Sequence, residues 1–253
     1  MQIAEMKWPE VQGLSKDTPI VIPIAALEQH GRHLPLFTDS MLLGEIVRRT
    51  AEHVGDRAVF APLFWLGNSD HHLEFSGTLS VRPRVYIDVL NDLAESFLHH
   101  GFKRLIFLNG HGGNDVPGRQ ATFEIRQRHR DRDDLLLLLV SYWHLADPTR
   151  LAGLGLRQSE MGHACEYETS MILRLAPNLV GEIALLEPVV AAEDPFAPAA
   201  RAWITKDRSA PGHIGYPAEA TPEKGEALFK LFTASVVGLL KRVIAWNGRD
   251  WYG

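Results

Sequence analysis

Apolar residues along the chain fall in two alternating registers, short continuous runs and longer stretches with helical spacing. Thr18 to Ala26 is a run of β-branched and small apolar residues, as a buried strand requires. Ser40 to His53 carries helical spacing, with Asp39 or Ser40 placed to cap its start. A second strand is predicted at Ala58 to Phe64. The next helix, Arg84 to His100, sets Tyr86, Leu90, Leu93 and Phe97 on one face and ends at Gly101. Arg104 to Leu108 and Leu135 to Tyr142 are predicted strands on either side of a helix from Pro117 to His129. A helix is also expected over His163 to Leu175, stopped by Pro177. In the last helix Thr221 caps, Pro222 occupies the first turn, and the apolar face continues to Ile244. Strands alternating with helices predict an α/β fold, a mostly parallel sheet covered by helices on both faces. Ligands in such folds gather beyond the carboxyl ends of the strands. Glu187 to Pro217, rich in Ala and Pro, fits neither register and reads as a long excursion over a site or at a subunit contact.

Composition narrows the functional classes. The 253 residues are 45% hydrophobic and 23% charged, with 26 basic against 31 acidic residues and a net charge of -5. No basic stripe is present, which argues against a nucleic-acid partner. Arg126, Arg128, Arg130 and Arg132 are interleaved with Asp131, Asp133 and Asp134, the pattern of a solvated helix end. The single cysteine, Cys165, permits no intrachain disulfide. Met1 to Pro9 has no signal-peptide pattern, and Leu135 to Val140 is too short to span a bilayer. A cytoplasmic protein without a membrane partner is therefore expected. Neither a Rossmann glycine fingerprint nor a phosphate-binding loop ending in Gly-Lys-Ser/Thr is present, so nucleotide binding is not supported.

The chemistry lies just past two of the predicted strands. Glu28 and His30 are two apart and share a face while the chain stays extended. Asp39 returns after a loop, and His111 stands within Asn109-Gly110-His111-Gly112-Gly113-Asn114, whose glycines admit a close approach of backbone to ligand. Imidazoles with carboxylates and no thiolate suit Zn, Mn, Fe or Ni in a reactive site rather than a structural zinc knot. Taken singly, each residue is also compatible with an ordinary loop position, and the glycine-rich run with a tight turn or an anion-binding nest.

PIAALEQHGRHLPLFTD, NGHGGN, HACEYETS and GYPAEATPEKG resemble, in order, the blocks of the creatininase (creatinine amidohydrolase) family, from about Pro23 to Gly225. The resemblance implies a three-layer α/β/α fold, one creatininase-like metallohydrolase domain over residues 1–253, two divalent metal ions and a homo-oligomer, often a hexamer. Zinc is the first expectation, with manganese or iron as alternatives. Glu28, His30, Asp39 and His111 match family ligands, Asp39 as the bridge. Creatininase takes a further ligand two residues after the histidine of the NGHGGN block, where this chain has Gly113. A replacement carboxylate is therefore needed. Helical spacing puts His163 and Glu166 on one face, which favours Glu166 as ligand and leaves Glu168 to orient a neighbour. His163 matches the histidine that moves protons. Trp143 stands where a substrate-covering tryptophan is expected, with a core position as the alternative.

The block from Asn68 to Thr78 resembles the family loop ending in Phe-Pro-Gly-Thr, with Ser76 in place of proline. His71 and His72, and with them Asn114, are candidate substrate contacts. Tyr216 replaces the aspartate of the usual Gly-Asp-Pro pattern. The expected activity is hydrolysis of a small cyclic amide or formamide by metal-activated water. Ring opening of an inositol- or sugar-derived ketone is the alternative, and an inactive metal-binding or scaffold protein is the alternative outside enzymes.

Overall fold

The structure is a computed structural model and describes residues 1–190 and 195–249. Four strands form a parallel sheet in the order β2-β1-β3-β4: β1 Ile20–Ile24, β2 Val59–Phe60, β3 Arg104–Asn109 and β4 Leu136–Ser141. The register pairs Ile20 with Leu105 and Ile24 with Asn109 across β1 and β3, and Asn109 with Ser141 across β3 and β4.

Alternation along the strands divides the core into two layers. Val21, Ile106 and Leu108 face the helices Thr38–Val54, Glu166–Leu175 and Pro222–Ala245. Ile20, Ile22, Ile24, Leu105 and Phe107 face Pro83–His99 and Asp115–Arg128. Both sides of β1 and β3 are buried, so their sequences read as unbroken apolar runs. This is the three-layer α/β/α arrangement expected. The order of the strands places the site: the chain leaves β1 towards β2 on one side, then returns to β3 on the other. The switch point of the sheet therefore lies between the carboxyl ends of β1 and β3, where a crevice opens.

Several boundaries differ from expectation. β2 has only two residues, and Phe64 meets the sheet through a single bridge to Ile24. The helix expected from His163 begins at Glu166. His163 is instead in a backbone pair with Ile214, donating to and accepting from it at 3.1 and 2.7 Å. Ala164 then turns at φ 48°, and Cys165 is extended at the helix N-terminus. The argument that put Glu166 on a common helical face with His163 fails for that reason. The cap Thr221 is as expected, its hydroxyl accepting from the Lys224 N–H. The Glu187–Pro217 excursion carries a short helical turn, Thr205–Arg208, and Val189 pairs with Gly215. Arg128 and Arg132 form surface ion pairs with Glu95 and Asp134, as a solvated helix end should.

Candidate metal centre

A cavity of about 810 Å³ opens at the switch point, and Glu28, Asp39, His111, His163 and Glu168 line it. The segment after β1 supplies Glu28, His30 and Asp39, and Asn109 at the end of β3 leads directly into His111. Asn109 holds that turn by accepting from the His111 N–H and donating to the His111 carbonyl.

Glu28 is the hub. Its Oε1 lies 3.3 Å from Nδ1 of His111, 3.4 Å from Nε2 of His72 and 3.6 Å from Nδ1 of His163. Asp39 lies between two imidazoles, with Nε2 of His30 and Nδ1 of His111 each 3.0 Å from its carboxylate. Glu168 Oε1 is 3.6 Å from Nε2 of His30.

Hydrogen bonds assign the faces of these rings. A carbonyl can only accept, so His111 donates from Nε2 to Asn68 O and turns Nδ1 to the carboxylates. His30 donates from Nδ1 to its neighbour Glu28 O and turns Nε2 inward. His163 donates from Nε2 to Gln29 O, and its Nδ1 faces Glu28. Each ring is thus fixed on its outer edge and presents a single nitrogen inward, the arrangement found for imidazole ligands.

Burial alone would raise the Glu28 carboxyl, but His111, His72 and His163 hold it well below the ordinary carboxylate range. The same opposition of burial by His30 and His111 lowers Asp39. Burial works against protonated His30 and His111, yet Asp39 and Glu168 raise the first well above its ordinary value, and Glu28 and Asp39 do so for the second. Burial dominates at the other rings. His163 is lowered, His71 falls to about 4 and His72 to about 2.

The donor set fits divalent cations. Three carboxylates and several imidazoles converge in a buried space, and Glu28 Oε2 is buried with no hydrogen-bond partner. Glu28, His30 and Asp39 bring ligand atoms within 4.8 Å of one another, as do His30, His163 and Glu168, and Glu28, His71 and His111. Buried carboxylates at this spacing repel unless protons or cations intervene.

Two expected assignments are corrected. Glu166 is not at the centre: its Oε1 accepts from Lys224 Nζ at 2.6 Å and its Oε2 from the Arg157 N–H at 2.6 Å. Glu168 is the helix carboxylate that faces His30. Because the helix starts at Glu166, Glu168 stands at its third position, where it also accepts from Cys165 N at 3.4 Å. Asn114 does not line the cavity. Its amide donates to Ala25 O at 3.0 Å and accepts from Asn68 N at 2.9 Å, so it ties the loops after β1, β2 and β3 together.

His72 lines the cavity with its ring, but Nδ1 accepts from the Gln29 amide at 2.7 Å and Nε2 points to Glu28. Both of its nitrogens thus have protein partners, and with Glu28 and His163 it brings ligand atoms within 4.8 Å of one another. His71 does face the cavity. Trp143 lines the cavity while packing on the core and edge-on to Tyr142.

Gln29 was missed by sequence reasoning. Its amide hydrogens go to His72 Nδ1 and Gly212 O, while its backbone carbonyl holds His163. The signal was its place between Glu28 and His30, on the opposite face of an extended segment. Trp203, Thr205 and Arg208 of the excursion also line the cavity. They are 92 or more residues from His111 in sequence, and nothing local marks them.

The family model described as creatinine amidohydrolase, Creatininase, matches residues 4–240. The chain belongs to the creatininase family. It is a metal-dependent hydrolase of that family's type. Creatinine amidohydrolase of Pseudomonas putida is 26% identical over 94% of this chain and 95% of its own length. A mycofactocin precursor peptide peptidase of Mycobacterium ulcerans (strain Agy99) is 29% identical over 90% of this chain and 85% of its own. A solved mutant creatininase of the Zn-Zn type is 25% identical, with a TM-score of 0.82 over 97% of this chain and 98% of that one. Creatininase-family membership agrees with the three-layer architecture.

Proposed function

We propose that this chain is a binuclear hydrolase, one metallohydrolase domain over residues 1–253, that cleaves the C–N bond of a small cyclic amide or formamide. The observation that carries this reading is the convergence of Glu28, Asp39, His111 and Glu168 on one cavity at the switch point of the sheet, with His30 buried against Asp39 and Glu168. Asp39, between His30 and His111, is the bridging carboxylate of the proposal. Zinc is the first candidate, with manganese or iron as alternatives. Ions bound there would lower the pKa of water from near 16 towards about 7 and polarise a carbonyl.

The chain's own groups supply the proton path. Burial keeps His163 neutral, its Nε2–H is committed to Gln29 O, and its Nδ1 lone pair faces the cluster. It can accept a proton from water at Nδ1 and return it to the leaving nitrogen, which cannot depart as an amide anion. Trp143, Met161 and Ile214 form an apolar wall against which a flat or cyclic substrate can lie. The two relatives named above differ in substrate, creatinine for one and a precursor peptide for the other. No described helix is long and apolar enough to cross a membrane. A homo-oligomer is part of the proposal and is checked by light scattering.

The test is elemental analysis of protein purified without added metal or chelator, followed by turnover assays on that sample. About two equivalents of metal and hydrolysis of a cyclic amide or formamide support the reading. Turnover of a cyclitol ketone alone would replace C–N by C–C cleavage. Full metal content without turnover of any substrate class would leave a binding protein.

A further inference from the structure

The ligand groups at the centre are unequal. Around His30, the donors Glu28, Asp39 and Glu168 leave no shortage of oxygen. On the His111 side the donors within range are Glu28, Asp39, His111 itself and one more ring, His71. His71 lies beside His111, ring centroids 5.9 Å apart and planes within 14° of parallel. His72 and Trp203 hold it from two other directions, at 4.3 and 5.2 Å between centroids. His71 differs from its neighbours in one respect. His30, His72, His111 and His163 each commit a nitrogen to a protein hydrogen bond, whereas His71 makes none among the described residues.

Gly113 accounts for the space in which His71 sits. A Cβ at this position would strike the Asn68 carbonyl and His111 Nε2, and would come within 2.8 Å of His71 Cε1. No side chain from position 113 can therefore reach this side of the cluster. The ring of His71 takes up the room, and it arrives from the loop after β2 rather than from the loop after β3.

We propose that His71 is a metal ligand that completes the His111 side of the centre, together with His111, Glu28 and Asp39. The inference rests on the binuclear reading above and adds a residue to it. An imidazole here would replace an anionic donor with a neutral one, so this position would carry less negative charge than the His30 position with its Glu168. The two positions should then differ in affinity, with the His111 side the weaker and the first to empty under a chelator.

The test compares the wild-type chain with His71→Ala and His71→Glu, each reconstituted with Zn²⁺ and separately with Co²⁺. Zn²⁺ stoichiometry and chelator-competition affinities are read alongside the visible absorption of the Co²⁺ forms. The expected result is two equivalents in the wild type and, in His71→Ala, a loss of at least about 100-fold in affinity for one of them, since even losing a partner outside the ligand set costs 10- to 100-fold. His71→Glu should regain the second equivalent with a changed Co²⁺ spectrum. Circular dichroism confirms that each variant is folded; if His71→Ala is not, the spectrum of His71→Glu still decides. Two equivalents at wild-type affinity in His71→Ala, or an unchanged spectrum in His71→Glu, would overturn the role of His71 and leave the binuclear reading standing. A wild type that takes up no metal on reconstitution would overturn both.

Discussion

Two glutamates two positions apart do opposite work. Glu166 is fully buried against Lys224, and Glu168 is turned to His30. Replacing Glu166 by Gln leaves the Lys224 ammonium without its counter-charge, and breaking such a pair costs about 3 kcal/mol. Glu166→Gln should therefore lower the urea midpoint and leave metal content unchanged. Glu168→Gln should instead remove metal, and compared in the metal-free state it should lower the urea midpoint less than Glu166→Gln does. Metal loss from Glu166→Gln in folded protein would restore it as a ligand. Gln29 belongs to the same scale. Gln29→Leu removes the donor to His72 Nδ1 while the backbone carbonyl that holds His163 remains. With only the Thr205 hydroxyl left on His72 Nδ1, at 3.0 Å, the ring that orients Glu28 is held more loosely, and kcat should fall about 10-fold with KM little changed. A rise in KM alone would show that Gln29 touches substrate.

At the scale of elements, the four strands and the last helix were legible because burial on both faces, or a Thr-Pro start, writes itself into neighbouring residues. Glu28, His30 and His111 were legible because each stands two to four positions past a predicted apolar run, and Asp39 because it stands at the start of the helix that follows the first of these runs. What escaped the sequence depends on pairing between distant segments. The start of the helix at Glu166 is set by the pairing of His163 with Ile214, 51 residues on, and that boundary decided which glutamate faces the centre. Asn114 is a similar case, since its partners Ala25 and Asn68 lie on other loops. Asn114→Ala strands a buried N–H and a buried carbonyl, each costing about 1–3 kcal/mol. The expected outcome is a loss of at least about 2 kcal/mol in denaturant unfolding, with KM for a confirmed substrate unchanged in the folded fraction. Unchanged stability with a raised KM would return Asn114 to the substrate site.

For the whole molecule, the centre couples metal, protons and stability. Without metal, His30 and His111 have pKa values above their ordinary 6.5, so they contribute stability below that pH and lose it as pH rises through the folded values. Glu28 and Asp39 are lowered, so their contribution is present above their ordinary 4.5 and 3.8 and is lost as pH falls through the folded values. The two windows overlap between about 4.5 and 6.5, where the metal-free cluster stabilises the fold most. Ions need the inward nitrogens of His30 and His111 unprotonated, so metal uptake must displace protons and strengthen as pH rises. The Tm of chelator-stripped protein should therefore fall as pH is raised from 6 towards the folded pKa values of these rings. The Tm of the metal-loaded protein should hold or rise, so that the gap between the two widens. Calorimetric titration of stripped protein with Zn²⁺, in buffers of different ionisation enthalpy at one pH, should report net proton release. A gap that stays constant with pH, with no proton release, would mean that the ions do not bind through His30 and His111, and the centre would have to be sought elsewhere in the fold.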